Sequence, residues 1–294
     1  DNEGCTWTDI TGTDLTATYL ARPQFAAVSE LNYLAFTNEG YDRPRKYTGS
    51  GNTAVWGGTP PYCRAIEYYV GFLALGNLAD GSANDADNNR RPLDVIFSDD
   101  PDNTWTECDD TEVFVTTLTL DESPGEIRAM KVLGATLMVY KADAVIAVTF
   151  TGGPTRFQRR KMAFPMGILA PLSLQSIGEL GHIFLATDRN LYVNTGTAIT
   201  PLPPNAQKSL QITMSAAIAP FARSMVDVSK DTYILSYQHS GTTYFDGLIE
   251  YNYRTGEFTR KLYPVEFYSM LVYKSATWAD YIRLASSSNL TYQL

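Results

Sequence analysis

Histidine is almost missing from this chain. Two residues in 294, His182 and His239, leave little room for the acid–base pairs and metal cages that histidine usually builds. Cysteine is nearly as scarce. Cys5, Cys63 and Cys108 are too few and too scattered for a disulfide framework, and they read as reduced, partly buried thiols. No run of about 18 apolar residues occurs, so a membrane-spanning helix is not expected. The start of the chain carries no cationic, apolar-cored leader. Helical periodicity is nearly absent, and Ala216–Ala222 predicts one turn at best. Charged residues make up 19%, and their balance of -9, with a pI near 4.8, argues against phosphate neutralisation as a main function. No phosphate loop or dinucleotide fingerprint appears.

What is present is β-forming. Aromatics reach 12%, with 19 Tyr, and Val, Ile, Thr and Tyr recur in short runs punctuated by Gly, Pro, Asn and Asp. The runs repeat as a unit: an apolar run, a brief turn, a second apolar run, a third strand, a Gly/Asp turn and an outer strand. The first unit has Phe25–Val28, Tyr33–Phe36, Arg45–Tyr47 and Asn52–Trp56. The second has Ala65–Val70, Phe72–Leu75, a polar insertion over Asn77–Arg91, Leu93–Ser98 and an outer strand from Trp105. Ala129–Leu133, Thr136–Tyr140, Ala144–Phe150 and Arg156–Phe157 form the third; Leu172–Ile177, His182–Ala186 and Asn190–Asn194 form the fourth. The fifth has Ser224–Val228, Thr232–Tyr237, Leu248–Tyr253 and Phe258–Leu262. The sixth has Ser269–Tyr273, Tyr281–Ala285 and Asn289–Leu294, with no outer strand.

Third strands recur about every 50 residues, the spacing of four-stranded propeller blades. A β-sandwich needs no such period, and two smaller domains could meet near Pro201–Asn205. Neither alternative explains an orphan strand at the N-terminus, where Cys5–Thr6–Trp7–Thr8–Asp9 copies Asn103–Thr104–Trp105–Thr106–Glu107. The expectation is therefore all-β: a single domain over residues 1–294, a six-bladed propeller of four-stranded antiparallel blades. Thr6–Thr11 pairs with Asn289–Leu294 to close the last blade and remove its exposed edge.

Ser98–Asp99–Asp100–Pro101–Asp102–Asn103–Thr104–Trp105 resembles the sialidase Asp-box, with Asp102 where that motif has glycine. In that family the box is a structural turn between blade strands, and the family's arginine triad, Tyr nucleophile and Glu find no place on this chain. Asp85, Asp87 and Asn89 have the spacing that opens an EF-hand loop, but Arg90 stands where Gly belongs and Ile96 where Glu belongs. A solvated insertion explains them better than a Ca²⁺ site. Glu107, Asp109, Asp110 and Glu112 suggest an acidic blade edge more simply than a glycosidase pair. Two basic spots, Arg43–Arg45–Lys46 and Arg159–Arg160–Lys161, stand out on an acidic chain and are candidates for docking a neighbour. Neither histidine has a recognisable triad context. No catalytic residue, cofactor or metal is assigned.

Trp7–Thr8–Asp9–Ile10–Thr11–Gly12, Leu34–Ala35–Phe36–Thr37–Asn38–Glu39–Gly40 and Pro44–Arg45–Lys46–Tyr47 together resemble the opening of phage tail proteins built on β-propellers. Gly125–Glu126–Ile127–Arg128–Ala129–Met130 and Val145–Phe150 with Gly152–Gly153–Pro154 are similar to their middle blades. The resemblance implies a non-enzymatic virion structural protein of the nozzle or tail-tube type in short-tailed phages. It implies a homo-oligomeric ring, six-fold on the tail axis, contacts with an adaptor or tail fibre, and DNA passing without sequence-specific binding. Arg159, Arg160, Lys161, Arg43, Arg45, Lys46, Asp85, Asp87 and Asn89 are the interface candidates. A carbohydrate-binding or glycan-cleaving propeller is the alternative, and a WD-repeat scaffold lacks its signature here.

Overall fold

A computed structural model describes residues 9–12, 15, 22–58, 60–79, 90–98, 104–105, 117–152, 156–203, 210, 214–238, 245–274, 280–286 and 291–293. They fall into two compact units, Asp1–Asp121 with Thr151–Phe157 and Glu122–Phe150 with Gln158–Leu294. No described helix is long and apolar enough to cross a membrane.

In the first unit, β1 (Gln24–Val28), β2 (Tyr33–Thr37), β3 (Arg45–Tyr47) and β4 (Ala54–Val55) form one antiparallel sheet in chain order. Ala26 and Val28 face inward from β1, the period-two pattern of a half-buried strand. The β1–β2 connection is a 3-10 turn, Ser29–Leu31, closed by Asn32 in the left-handed region at φ 54. A second sheet orders β6 (Tyr62–Tyr69), β7 (Phe72–Ala79), β8 (Arg90–Ser98) and β10 (Thr117–Thr119) as β10-β8-β7-β6. Strand β7 is buried from Leu73 to Ala79, as a middle strand covered on both faces should be. Between β6 and β7 the chain reverses through Val70 and Gly71, at φ 50 and φ 85. Two successive positive φ values are the signature of a tight hairpin turn whose twist matches its strands. Val28, Trp56, Cys63, Leu73, Leu75 and Ile96 belong to this unit's core.

Two expectations change here. Thr104–Trp105 (β9) does not run as the outer strand of the second sheet; it pairs in parallel with Gly57–Gly58 (β5). Two glycines, lacking side chains, allow that close approach. The outer position goes to β10, whose Leu118 lies opposite Val95. The insertion is also shorter than Asn77–Arg91, because β7 continues to Ala79 and β8 starts at Arg90.

In the second unit, β11 (Ile127–Leu133), β12 (Thr136–Lys141), β13 (Val145–Phe150) and β14 (Phe157–Lys161, whose Phe157 belongs to the first unit) make the third sheet. The fourth has β15 (Gln175–Ser176), β16 (His182–Leu185), β17 (Leu191–Asn194) and β18 (Ile199–Pro201). The last sheet holds six strands: β19 (Ser224–Asp227), β20 (Thr232–Tyr237), β21 (Phe245–Asn252), β22 (Phe258–Lys274), β23 (Asp280–Ser286) and β24 (Thr291–Gln293). Its β19–β20 turn repeats the 3-10 geometry of the first sheet, with Asp227 accepting from the backbone N–H of Ser229 and Lys230 and Asp231 at φ 51.

Among the described residues there are thus five blade-type sheets and not six. The strands foreseen for a sixth exist, but they extend the fifth. Strand β22 runs 17 residues, pairing with β21 through Phe258–Leu262 and with β23 from Phe267 onward. Between Leu262 and Phe267 the register with β21 slips, and Pro264 sits in that bulge, where its missing N–H breaks no ladder. No loop intervenes, so no new blade begins.

The closure expectation also changes where it can be read. Among described residues β24 pairs with β23 alone. Asp9–Gly12 instead meet the first sheet: the Thr53 N–H donates to the Ile10 carbonyl at 2.6 Å. Thr6–Thr8 and Asn289–Leu290 lie outside the described residues.

Candidate functional site

Residues 9–12 of the first opening segment reach the third, Pro44–Tyr47, which pairs with the second as neighbouring strands β3 and β2; Trp7 and Thr8 lie outside the described residues. Asp9 accepts from both the N–H (2.8 Å) and the hydroxyl (2.7 Å) of Thr11, and these bonds lower its carboxyl pKa. Thr11 then offers its carbonyl to Arg45 Nη1 and to the Thr53 hydroxyl, each at 2.8 Å. Gly12, at φ +77, packs so closely that an added Cβ would stand 3.0 Å from Asn52 Cβ. Asn38 and Asp42 lock the middle segment through an amide–carboxylate bond of 2.7 Å and a backbone bond of 2.9 Å. The left-handed Glu39 and Gly40 follow Asn38 in that turn, and Arg22 grips the Glu39 carboxylate. Lys46 Nζ lies 5.6 Å from the ring of Tyr33 and 5.5 Å from that of Trp56, rings that meet edge-on.

Of the first basic spot, then, Arg45 is turned inward, only 5% exposed, and Lys46 lies against aromatic faces. Arg43 donates to the Pro60 carbonyl and covers the Tyr62 ring at 5.0 Å. Sequence reasoning saw three charges; the fold uses them as internal ties. Asp85, Asp87 and Asn89 lie outside the described residues.

The second basic spot lies on β14, where Gln158–Lys161 are all exposed after the buried Phe157. Arg159 Nε stands 2.8 Å from Glu122 Oε1, and Lys161 Nζ donates to the Glu122 carbonyl at 3.2 Å. Next to Glu122, the fully buried Lys141 donates to the Ser123 carbonyl at 2.5 Å. The Gly125 N–H donates to Asp143 Oδ2 at 3.0 Å, and a Cβ on Gly125 would overlap that carboxylate. One on Gly167 would overlap the backbone of residues 141–143. Three cations therefore pin the turn 122–125. Sequence reasoning missed Lys141, although a lysine closing the apolar run Leu137–Tyr140 was the available sign.

A third polar cluster lies within the second unit. The Tyr140 hydroxyl and His182 Nδ1 are 2.9 Å apart, Asn194 Nδ2 donates to that hydroxyl at 2.8 Å, and His182 Nε2 lies 3.0 Å from the Val132 carbonyl. Burial lowers the His182 pKa to about 4, with the Lys131 charge adding to the shift and the Val132 bond opposing it. Burial raises the Tyr140 phenol pKa. In the first unit it pushes the Cys63 thiol up to about 12. A neutral imidazole, a protonated phenol and a protonated thiol suit packing and hydrogen bonding better than nucleophilic attack. Among the described residues no group of three His, Cys, Asp or Glu side chains is placed to hold a metal.

No protein-family model matches the chain, and no curated protein does. Solved structures do. YCF48 bound to D1 peptide matches at 11% identity and TM-score 0.55, covering 97% of this chain and 84% of that one. A luciferin-regenerating enzyme matches at 9% identity and TM-score 0.54, over 94% and 86%. BBS1N in complex with ARL6DN matches at 13% and TM-score 0.51, over 97% and 79%. At such identities the likeness speaks to architecture alone: the chain is an all-β propeller with five blade-type sheets.

Proposed function

We propose that the chain is a virion structural protein, a tail component of the nozzle or tail-tube type, non-enzymatic and assembled as a ring through which DNA exits. The observation that supports this reading is the convergence of the opening motif. Of the segments that carry the resemblance to phage tail propellers, the described part of the first bonds to the third, Thr11 to Arg45, and the second pairs alongside the third as β2 with β3. A pattern shared for structural reasons should behave so, and a chance likeness of scattered residues need not. In this reading the acidic surface, net -9, keeps exiting DNA from adhering. Ring neighbours, six copies if the ring follows the tail axis, meet through loops and outer strands, and an adaptor or tail fibre docks on the assembled ring.

The test is location. Antibody against the purified chain should label the tail of intact particles, and the chain should band with them in a density gradient. Recovery of the chain only as free protein, with label absent from particles, overturns the assignment.

A further inference from the structure

Strand β14 ends its sheet, with no strand beyond it among the described residues. Such a strand offers a row of backbone donors and acceptors to any extended chain. The outer strands β4, β10 and β18 are two or three residues long, and β18 ends in Pro201, which keeps their edges short. Strand β14 has five residues, and the four from Gln158 to Lys161 are exposed in succession. After Phe157, which stacks on Phe97, the side chains on both faces of the strand reach solvent.

Its charge is equally particular. Arg159, Arg160 and Lys161 stand together on a chain of net charge -9. The carboxylate of Glu122 meets Arg159, and the Glu122 backbone carbonyl meets Lys161. Even with Glu122 set against Arg159, Arg160 and Lys161 keep the strand cationic. Alternation along the strand sets Arg159 and Lys161 on one face and Arg160 on the other. A segment lying along β14 would therefore meet cations on both its faces.

We propose that β14 is a strand-addition site for an extended acidic segment of another protein. The inference goes beyond the tail assignment and does not depend on it. Main-chain pairing supplies adhesion in this mode of recognition, and side chains supply selection. Here selection is by charge, since residues 158–161 carry no apolar side chain to form a pocket. A charged edge that only guards against aggregation would turn away every strand; this one would turn away basic and neutral strands and admit acidic ones.

The probe is a labelled, capped peptide of about eight alternating Glu and Val residues, an ordinary strand length. Its controls are the Lys–Val counterpart and a Glu–Val peptide with a central proline. Fluorescence anisotropy with the full chain should show saturable binding of the Glu–Val peptide at low salt, weakening as salt rises. Binding should fall about tenfold or more in the Arg160→Glu/Lys161→Glu variant, as loss of charge-assisted contacts requires. The proline peptide should lose most of its binding, because it cannot complete the ladder. Circular dichroism checks that the variant folds, and if it does not, Arg160→Gln replaces it with a smaller expected loss. No saturable binding at low salt overturns the proposal. So does equal binding of the proline peptide, or unchanged affinity in a folded variant. If the variant instead dissociates a homo-oligomer while peptide binding is untouched, the occupant is a second copy and the proposal fails.

Discussion

The Tyr140 hydroxyl and His182 Nδ1 lie 2.9 Å apart, and that pairing settles the state of the ring. The other nitrogen, Nε2, faces the Val132 carbonyl, which can only accept, so Nε2 carries the proton and Nδ1 receives the phenol's. Asn194 Nδ2 donates to the same phenol oxygen, and the Gly196 N–H donates to Asn194 Oδ1 at 2.9 Å. Five residues from four strands and a turn thus form a satisfied chain of donors and acceptors around a neutral imidazole.

A pH dependence follows from that neutrality. The ring takes up a proton near 6.5 when unfolded and only near 4 when folded. Between those values the unfolded chain binds more protons, so the contribution is whole above 6.5 and drains away as pH falls toward 4. It amounts to something on the order of 3 kcal/mol. Denaturant titrations at several pH values should show a shallower slope in His182→Gln than in the parent. Identical slopes would refute the buried neutral ring.

The hairpin at Val70–Gly71 should be improvable. Val70 is a β-branched residue at φ 50 and is exposed, so its side chain gains little from the turn it strains. Val70→Asn, giving Asn–Gly, should stabilise the protein by about 1 kcal/mol. A lower melting temperature for the variant would count against this turn geometry.

Glycine is required at two places beneath the 122–125 turn, for unequal reasons. A Cβ on Gly167 collides with backbone, whereas one on Gly125 collides mainly with the Asp143 carboxylate, which can swing away. Gly167→Ala should therefore cost about 3 kcal/mol or more, and Gly125→Ala nearer 1 kcal/mol. Thermal melts that ranked them the other way would contradict the packing.

Arg45 should report on stability before association. Arg45→Met keeps bulk but removes the Nη1 donor to the Thr11 carbonyl, at a cost of roughly 2 kcal/mol. Limited proteolysis near residues 9–12 should become faster. If stability holds and only assembly suffers, the residue works outward after all.

Absence of hydrolysis is expected on fluorogenic sialosides and on polysaccharides. Turnover that vanished in Glu107→Gln or Asp110→Asn would place the chain among the glycan-cleaving propellers instead.

Strand positions were legible because apolar runs and turn residues carry them locally, as β11 to β13 and β19 to β21 illustrate. The blade number was not, because it hinged on whether Tyr263–Glu266 turned or continued. Pro264 would ordinarily end a strand, yet a bulge absorbs it. Parallel pairing of Gly57–Gly58 with Thr104–Trp105 has no local sign at all. Charge was visible and its direction was not: Arg45 and Arg160 look alike in sequence, and one is buried while the other is exposed. The His182 cluster was hidden by distance, since its partners lie 42 and 50 residues away for direct bonds to the ring.

The shared strand β22 has a bearing on how such a chain can change over generations. In the third and fourth sheets each strand belongs to one meander, so duplication or deletion of a whole blade can respect every ladder, whereas the β5–β9 pair ties the first two together. The last sheet has no such seam. A cut anywhere from Phe258 to Lys274 divides one strand between two partners, β21 and β23. Recombination and insertion should be tolerated at the third and fourth blades and punished in the last, which must be inherited whole.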